Sequence, residues 1–502
     1  MKKRIFSICC VLTAVAILLC SCNNTATVPE GETNSKSGTQ SVQATGISLP
    51  YSSGDSLNPY FATGNENLAL AYLYCRPLYE LKSDYSTEPA LAASITSDGT
   101  RVTVILQSAV FSDGTAVTAK DVVYSFNKAK SSVAFSQRLS NIVSASVSGS
   151  AVVFTLGSPD SLCQNVLTFP IVKQGTAEDS ASVPTGSGKF VFDGDSTLTV
   201  NQKSEVASKI SKITLCDVKK LEYITNAVEI GNINYLFEDF SDGQYKRIVA
   251  QNKSVTLNNF VFLGMNTSVG ALSSSAIRTA IYYAIDKEDI SQSSYQGYAK
   301  SAVTVFNPDF YMLSSQELPS AKGDTAKSDT VLSKMGYNYY TKNGVKTNQT
   351  DTLAFSLLVN SENSFRLSAA RKIASQLGER GFSVTVDAVD SATYRQRVLS
   401  GNYEMYIGEI KLCENFDLSP FFNGQSGLSI DANGGFAAAY NSFKSGESDM
   451  KALNDAFFND MPFVPLCYRM GMAAYSKGVT PDFTYAPFDI YGNMENWEVT
   501  AE

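Results

Sequence analysis

None of the 502 residues is histidine. The side chain that most often serves as a general base near neutral pH, and most often ligates transition metals, is therefore missing. Ser-His-Asp and Cys-His nucleophilic sites are excluded with it, as are zinc sites that use histidine. Cys75, Cys163, Cys216, Cys413 and Cys467 are scattered through the body of the chain without C-x-x-C spacing. One disulfide is open to them, but sequence does not choose the pair, and small buried hydrophobes are the simpler expectation. The segment Val183-Pro184-Thr185-Gly186-Ser187-Gly188-Lys189-Phe190 has closely spaced glycines but lacks the G-x-x-x-x-G-K-[ST] spacing that wraps phosphate in backbone amides. It reads as a turn into a strand at 190–192. With 48 acidic residues, carboxylate pairs of the kind a glycosidase sets across a cleft arise by chance. No metal, cofactor or catalytic residue is expected.

The elements that could position binding groups begin after an export-type leader. Met1-Lys2-Lys3-Arg4 is followed by an apolar run at 5–19 and by Leu19-Cys20-Ser21-Cys22. A basic start, a short apolar run and a small residue before the cut describe a secretory signal peptide at 1–21, too short for a good membrane span. Leu19-Cys20-Ser21-Cys22 also resembles a bacterial lipobox, which makes Cys22 the acylated anchor. Residues 22–44 are then a polar linker that buries too little to offset the entropy of ordering. Loss of Lys2, Lys3 and Arg4 with the leader takes the formal charge from −8 to −11. An acidic chain without basic blocks argues against a nucleic-acid partner.

Downstream, 102–106 and 152–156 read as strands, and Ser112-Asp113-Gly114-Thr115 as a turn. Thr118 with Asp121 forms a capping box that opens a helix. Ile277, Ala280, Ile281, Ala284 and Ile285 share one face of a second helix, and Asp286 with Asp289 caps the next. A strand at 353–359, a helix at 365–380 with Leu367, Ala370, Ile373, Ala374 and Leu377 as its stripe, and a strand at 382–386 make a βαβ crossover, with Gly381 as the left-handed stop. Parallel strands are expected there, with ligands favoured beyond their C-terminal ends.

Several of these segments resemble the family 5 extracellular solute-binding proteins of ABC importers. Phe111-Ser112-Asp113-Gly114-Thr115-Ala116-Val117-Thr118-Ala119-Lys120-Asp121-Val122-Val123-Tyr124-Ser125 nearly reproduces the family signature FSDGTPVTAEDVVYS. Leu57-Asn58-Pro59-Tyr60, the segments 74–81 and 88–94, Pro184 to Phe190, Asn266 with 277–287, Gly297 and 394–403 are similar to further family segments, so the resemblance spans nearly the whole mature chain.

The resemblance implies an α/β, two-lobed periplasmic-binding-protein-like clamshell of the class II, cluster C type, with an extra subdomain in the first lobe. The boundaries that follow are lobe 1 at 45–258, including a subdomain at about 66–180, lobe 2 at 259–475, and a C-terminal return to lobe 1 at 476–502. The resemblance implies a monomeric, non-enzymatic lipoprotein on the outer face of the cytoplasmic membrane, the periplasmic side where an outer membrane exists. Its partners would be a small-molecule solute, an ABC permease and its ATPase. Oligopeptide is the leading solute, oligosaccharide and chelated metal are alternatives, and a sensor or chaperone role without transport stays open. Glu414-Asn415-Phe416-Asp417 occupies the region where peptide binders carry D-x-x-D-P, with an aspartate on the peptide amine. Glu414, Asn415 and Asp417 are thereby the candidate ligand-binding residues, following a strand at 403–407 whose C-terminal end is expected at the cleft.

Overall fold

The computed structural model describes residues 46–194, 196–220, 224–240, 243, 244, 246–422, 428, 430, 432–484 and 489–500. The expected signal peptide, Cys22 and the linker lie outside the described residues. Two hydrophobic cores organise the chain. One gathers Leu49, Leu70, Phe126, Phe154, Ile213 and Trp497. The other gathers Phe260, Ile281, Leu357, Ile373, Ile407 and Phe463.

Two four-stranded sheets surround the first core. In one, Gly46–Tyr51 runs parallel to Lys212–Asp217, and Thr197–Val200 and Phe190–Phe192 follow antiparallel. In the other, Ala92–Asp98, Arg101–Leu106, Ala151–Leu156 and Ile142–Ser148 pair antiparallel in that order. Phe126 of the helix Ala119–Ser131 meets Phe154 edge to face, 5.7 Å between centroids. That helix starts where its capping box places it. The Asp121 carboxylate accepts from the Thr118 N–H at 2.9 Å and from Thr118 Oγ1 at 2.6 Å. Its second oxygen accepts from the Gln174 N–H at 2.9 Å, which ties the helix start to the neighbouring chain.

The glycines near 186 serve close approach. A Cβ on Gly186 would lie 1.9 Å from the Tyr74 carbonyl oxygen, and one on Gly188 2.4 Å from the Tyr74 carbonyl carbon. The Gly188 N–H donates to that oxygen at 2.9 Å. Bare backbone here lets the end of the helix Asn65–Tyr74 dock, and the same helix carries residues into the cavity described below.

The second core is built on a mixed seven-stranded sheet. Ala354–Asn360, the helix Ser364–Gly378 and Ser383–Val389 form the expected crossover, with strands parallel from Ala354 opposite Ser383 to Asn360 opposite Val389. Met405–Lys411 is also parallel to Ala354–Asn360, whereas its other neighbour, Gln251–Met265, is antiparallel. The helix buries Phe365, Ala369, Ala370, Ile373 and Leu377, and full burial of each large side chain contributes roughly 2 kcal/mol. Leu367 and Ala374, expected in the stripe, sit half-buried at its edge. Phe365 takes the central place because it stacks on Tyr295, 5.6 Å between centroids. Gly381 has φ +85°, as a left-handed stop requires.

Two long strands join the cores. Gln251–Met265 pairs antiparallel with Phe463–Tyr475, from Gln251 opposite Tyr475 to Gly264 opposite Phe463, and the register shifts between Thr256 and Phe260. At one end Ala473 belongs to the first core and Val255 packs on it. At the other end Phe260, Leu263 and Phe463 belong to the second. The chain is thus an α/β protein of two lobes whose connecting ribbon is irregular at residues 257–259.

Candidate functional site

The irregular stretch of the ribbon opens onto a cavity of about 150 Å³. Leu257, Asn258 and Asn259 form one wall, and the helix Asn65–Tyr74 contributes Asn65, Leu68, Ala69 and Tyr72. Phe135 and Arg138 enter from the chain after the helix Ala119–Ser131, and Phe237 and Asp239 from the strand Tyr235–Glu238 and its exit. Lys411 and Glu414 close the cavity from the C-terminal end of Met405–Lys411. Leu68 and Phe237 pack on the first core, while Leu412, between Lys411 and Glu414, belongs to the second. The cavity therefore lies where the lobes meet, beyond a strand end, as parallel-strand topology favours.

Its polar walls are held by hydrogen bonds within the protein. The Asn258 side-chain N–H donates to the carbonyls of Leu412 at 3.0 Å and Cys413 at 3.1 Å, and the Leu412 N–H donates to the Asn258 carbonyl at 2.9 Å. The bulged ribbon thereby fixes the 411–414 segment. Behind it, Arg469 Nε contacts Glu409 Oε1 at 2.5 Å and Arg469 Nη1 donates to the Asp239 carbonyl at 2.7 Å. Asn259 donates to the same Glu409 oxygen at 3.2 Å. One buried arginine thus sets the position of two wall residues.

Of the expected ligand residues, Glu414 lines the cavity, and Asn415 and Asp417 are not among the residues that line it. Glu414 is buried, and Arg138 grips it with Nε to Oε2 at 2.9 Å and Nη2 to Oε1 at 3.1 Å. Arg138 Nη1 donates to Thr168 Oγ1 at 3.0 Å. Asn415 is buried off the cavity and donates to Asp160 Oδ2 at 2.7 Å. Lys444 pairs with Asp160 and donates to the Asn415 carbonyl at 3.1 Å. Asp417 accepts from the Ser419 N–H and from Ser419 Oγ, each at 3.0 Å, and so opens the short helical turn Ser419–Phe421.

Sequence reasoning passed over Arg138, Lys411 and the Asn258–Asn259 pair. Arg138 follows a helix and carries no spacing signal. Lys411 lies four residues beyond the strand expected at 403–407, and the observed strand Met405–Lys411 runs on to end at it. All five described cysteines are free, so no described pair forms a disulfide. Burial pushes the thiols of Cys75, Cys163 and Cys467 well up, and that of Cys413 up to about 12, which leaves no activated thiolate among them. Among the described residues no group of three or more His, Cys, Asp or Glu side chains is placed to hold a metal ion. No helix among the described residues is long and apolar enough to cross a membrane.

Comparison with known proteins bears on both lobes. Residues 86–427 match the model for bacterial extracellular solute-binding proteins, family 5 Middle. The glutathione-binding protein GsiB of Salmonella typhi is 23% identical over 479 residues, covering 85% of this chain and 89% of that protein. The periplasmic murein tripeptide-binding protein MppA superposes with a TM-score of 0.76 at 18% identity, covering 92% of this chain and 98% of that one. NikA from Brucella suis, solved with Fe(III)-EDTA, superposes with a TM-score of 0.64 at 18% identity, covering 90% and 99%. At such identities the superpositions carry the two-lobed periplasmic-binding-protein-like fold, and the family match carries the family.

Proposed function

From the chain's membership of family 5 of the bacterial extracellular solute-binding proteins, a family whose members serve ABC importers, we propose that it captures a small peptide-like solute between its lobes and delivers it unchanged to a membrane permease. The observation that carries this is the cavity at the meeting of the two cores, walled by the irregular part of the connecting ribbon. Residues that bend with the ribbon also touch the cavity, so a solute that bridges the walls favours the closed arrangement through contacts the open one lacks. Similarity to glutathione- and tripeptide-binding proteins supports the solute class. No chemistry is assigned to the site: its wall presents one ion pair, amides and a lysine.

Cys22 is the lipid anchor in this account, and the protein acts as a monomer tethered outside the membrane. Lobe 1 ends at 258, within the irregular segment of the ribbon. The C-terminal return at 476–502 is supported by Val479, Tyr491, Met494 and Trp497 in the first core. Mass spectrometry of solute carried through purification tests the proposal: an intact peptide or peptide-like acid at about one per chain is expected. A sugar, a metal chelate or a converted product would overturn it.

A further inference from the structure

Four charged side chains line the cavity: Arg138, Asp239, Lys411 and Glu414. They are not equally available. Glu414 and Arg138 satisfy each other through a two-pronged contact, with side chains only 7% and 12% exposed. An ammonium group entering the cavity would meet in Glu414 a carboxylate already neutralised by the guanidinium with both oxygens engaged, and displacing the guanidinium would leave a nearly buried cation without its partner, which is unfavourable. Asp239 is not free either, and its carbonyl is held by Arg469. Lys411 differs. It is exposed at the end of its strand, and its ammonium has no ion pair or hydrogen bond among the described residues. The Asn65 side chain, a second lining group, also makes no hydrogen bond among them. The walls thus keep one unspent positive charge and a neutral donor, set among Leu68, Phe135 and Leu257.

We propose that the solute is recognised by a carboxylate held at Lys411, and that Arg138, by occupying Glu414 across the lobe junction, releases the solute from any need for a free ammonium group. Lys411 is then the residue that selects the anionic end, and Arg138 is a positioning residue that masks the one buried acid of the wall. The inference rests on the cavity being the solute site, and it deepens that reading by fixing which end of a peptide-like molecule matters. A carboxylate from a peptide C-terminus and one from an acidic side chain share this chemistry.

The test uses the purified chain and an equimolar library of di- and tripeptides, with and without acidic side chains. Each is present as the free peptide, the N-acetyl form and the C-terminal amide, and retention is read by native mass spectrometry. Free and N-acetyl forms should be retained alike, and amides without an acidic side chain at least tenfold less. Amides that keep an acidic side chain separate the two carboxylate sources, and retention of either source at Lys411 supports the proposal. Lys411→Gln alters an exposed side chain, so melting should be unchanged while acids and amides are retained equally. Arg138→Met should unmask Glu414 and turn the preference toward free amines over N-acetyl forms. Amides held as well as acids by the wild type, or an acid preference that survives Lys411→Gln, overturns the proposal and leaves the peptide reading standing. Retention of no peptide in any form overturns both.

Discussion

Two buried ion pairs tie the lobes together, one through Glu414 and the other against its neighbour Asn415, and they differ in what they face. Arg138–Glu414 lines the cavity, whereas Lys444–Asp160 sits behind it and shares Asn415. Both join chain before residue 170 to chain after residue 410. The second is bolted further by backbone: the Ser161 N–H donates to the Lys444 carbonyl at 2.7 Å, and Ser161 Oγ donates to the Phe443 carbonyl at 3.2 Å. The inner pair therefore sets what a solute in the cavity would meet. The outer pair holds the wall that presents it.

Breaking the outer pair should give the largest effect on stability. Asp160→Ala leaves the Lys444 ammonium buried without its carboxylate and removes the acceptor of Asn415, so unfolding by denaturant should become easier by about 3–5 kcal/mol. The choice between acid and amide forms of a solute should not move. Glu414→Ala removes a charge-assisted pair but leaves Arg138 facing the cavity, where solvent or an anion can reach it. A loss of about 1–3 kcal/mol in unfolding free energy is expected, with several-fold tighter binding of acids by calorimetry. Equal effects of the two substitutions on selectivity would erase the distinction between the pairs.

Lys287, by contrast, is a buried amine with no carboxylate at its head. Its ammonium donates to the carbonyls of Tyr282 at 2.8 Å and Ile285 at 3.2 Å and lies 3.9 Å from the centre of the Tyr282 ring. Burial pulls it down to about 7, against a smaller opposing pull from Asp286. The folded chain then holds fewer protons than the unfolded chain above pH about 7, so this residue makes stability rise with pH up to the ordinary lysine range near about 10. Its contribution is flat below pH 7, where both states are protonated. Denaturation at pH 7 and pH 9 should show that rise in the wild type, by at most about 1.4 kcal/mol per pH unit, and lose it in Lys287→Met. The smallest effect should come from Asp417→Ala, which removes the acceptor for Ser419 and costs about 1 kcal/mol with no change in solute affinity.

Much of this arrangement was legible where local chemistry decides the structure. The Thr118–Asp121 capping box, the crossover expected at 353–386 and the left-handed Gly381 follow from residue types a few positions apart, and the structure has all three, with the helix ending at Gly378 and the second strand running on to Val389. The glycines at 186 and 188 read as a turn in the sequence, but their need arises from Tyr74, more than 100 residues earlier. The same distance hides the partner of Glu414. Its position after a strand end marked it for the cleft, and its neutralisation by Arg138, 276 residues away, is a tertiary fact without a local signal. Asn415 and Asp417 share the motif region with Glu414, yet a buried bond to Asp160 takes the first and a helical turn takes the second.

In the proposed function the space between the lobes binds a solute and leaves it chemically unchanged. Calorimetry of the purified chain with its co-purified solute, followed by mass spectrometry of the same sample, tests this directly when repeated on Ala134→Trp, which fills a half-buried position in the cavity wall. One equivalent bound by the wild type, recovered intact, and binding lost in the variant with its melting unchanged is the expected result. Undiminished binding by the filled variant, or a solute returned as a product, would contradict the account.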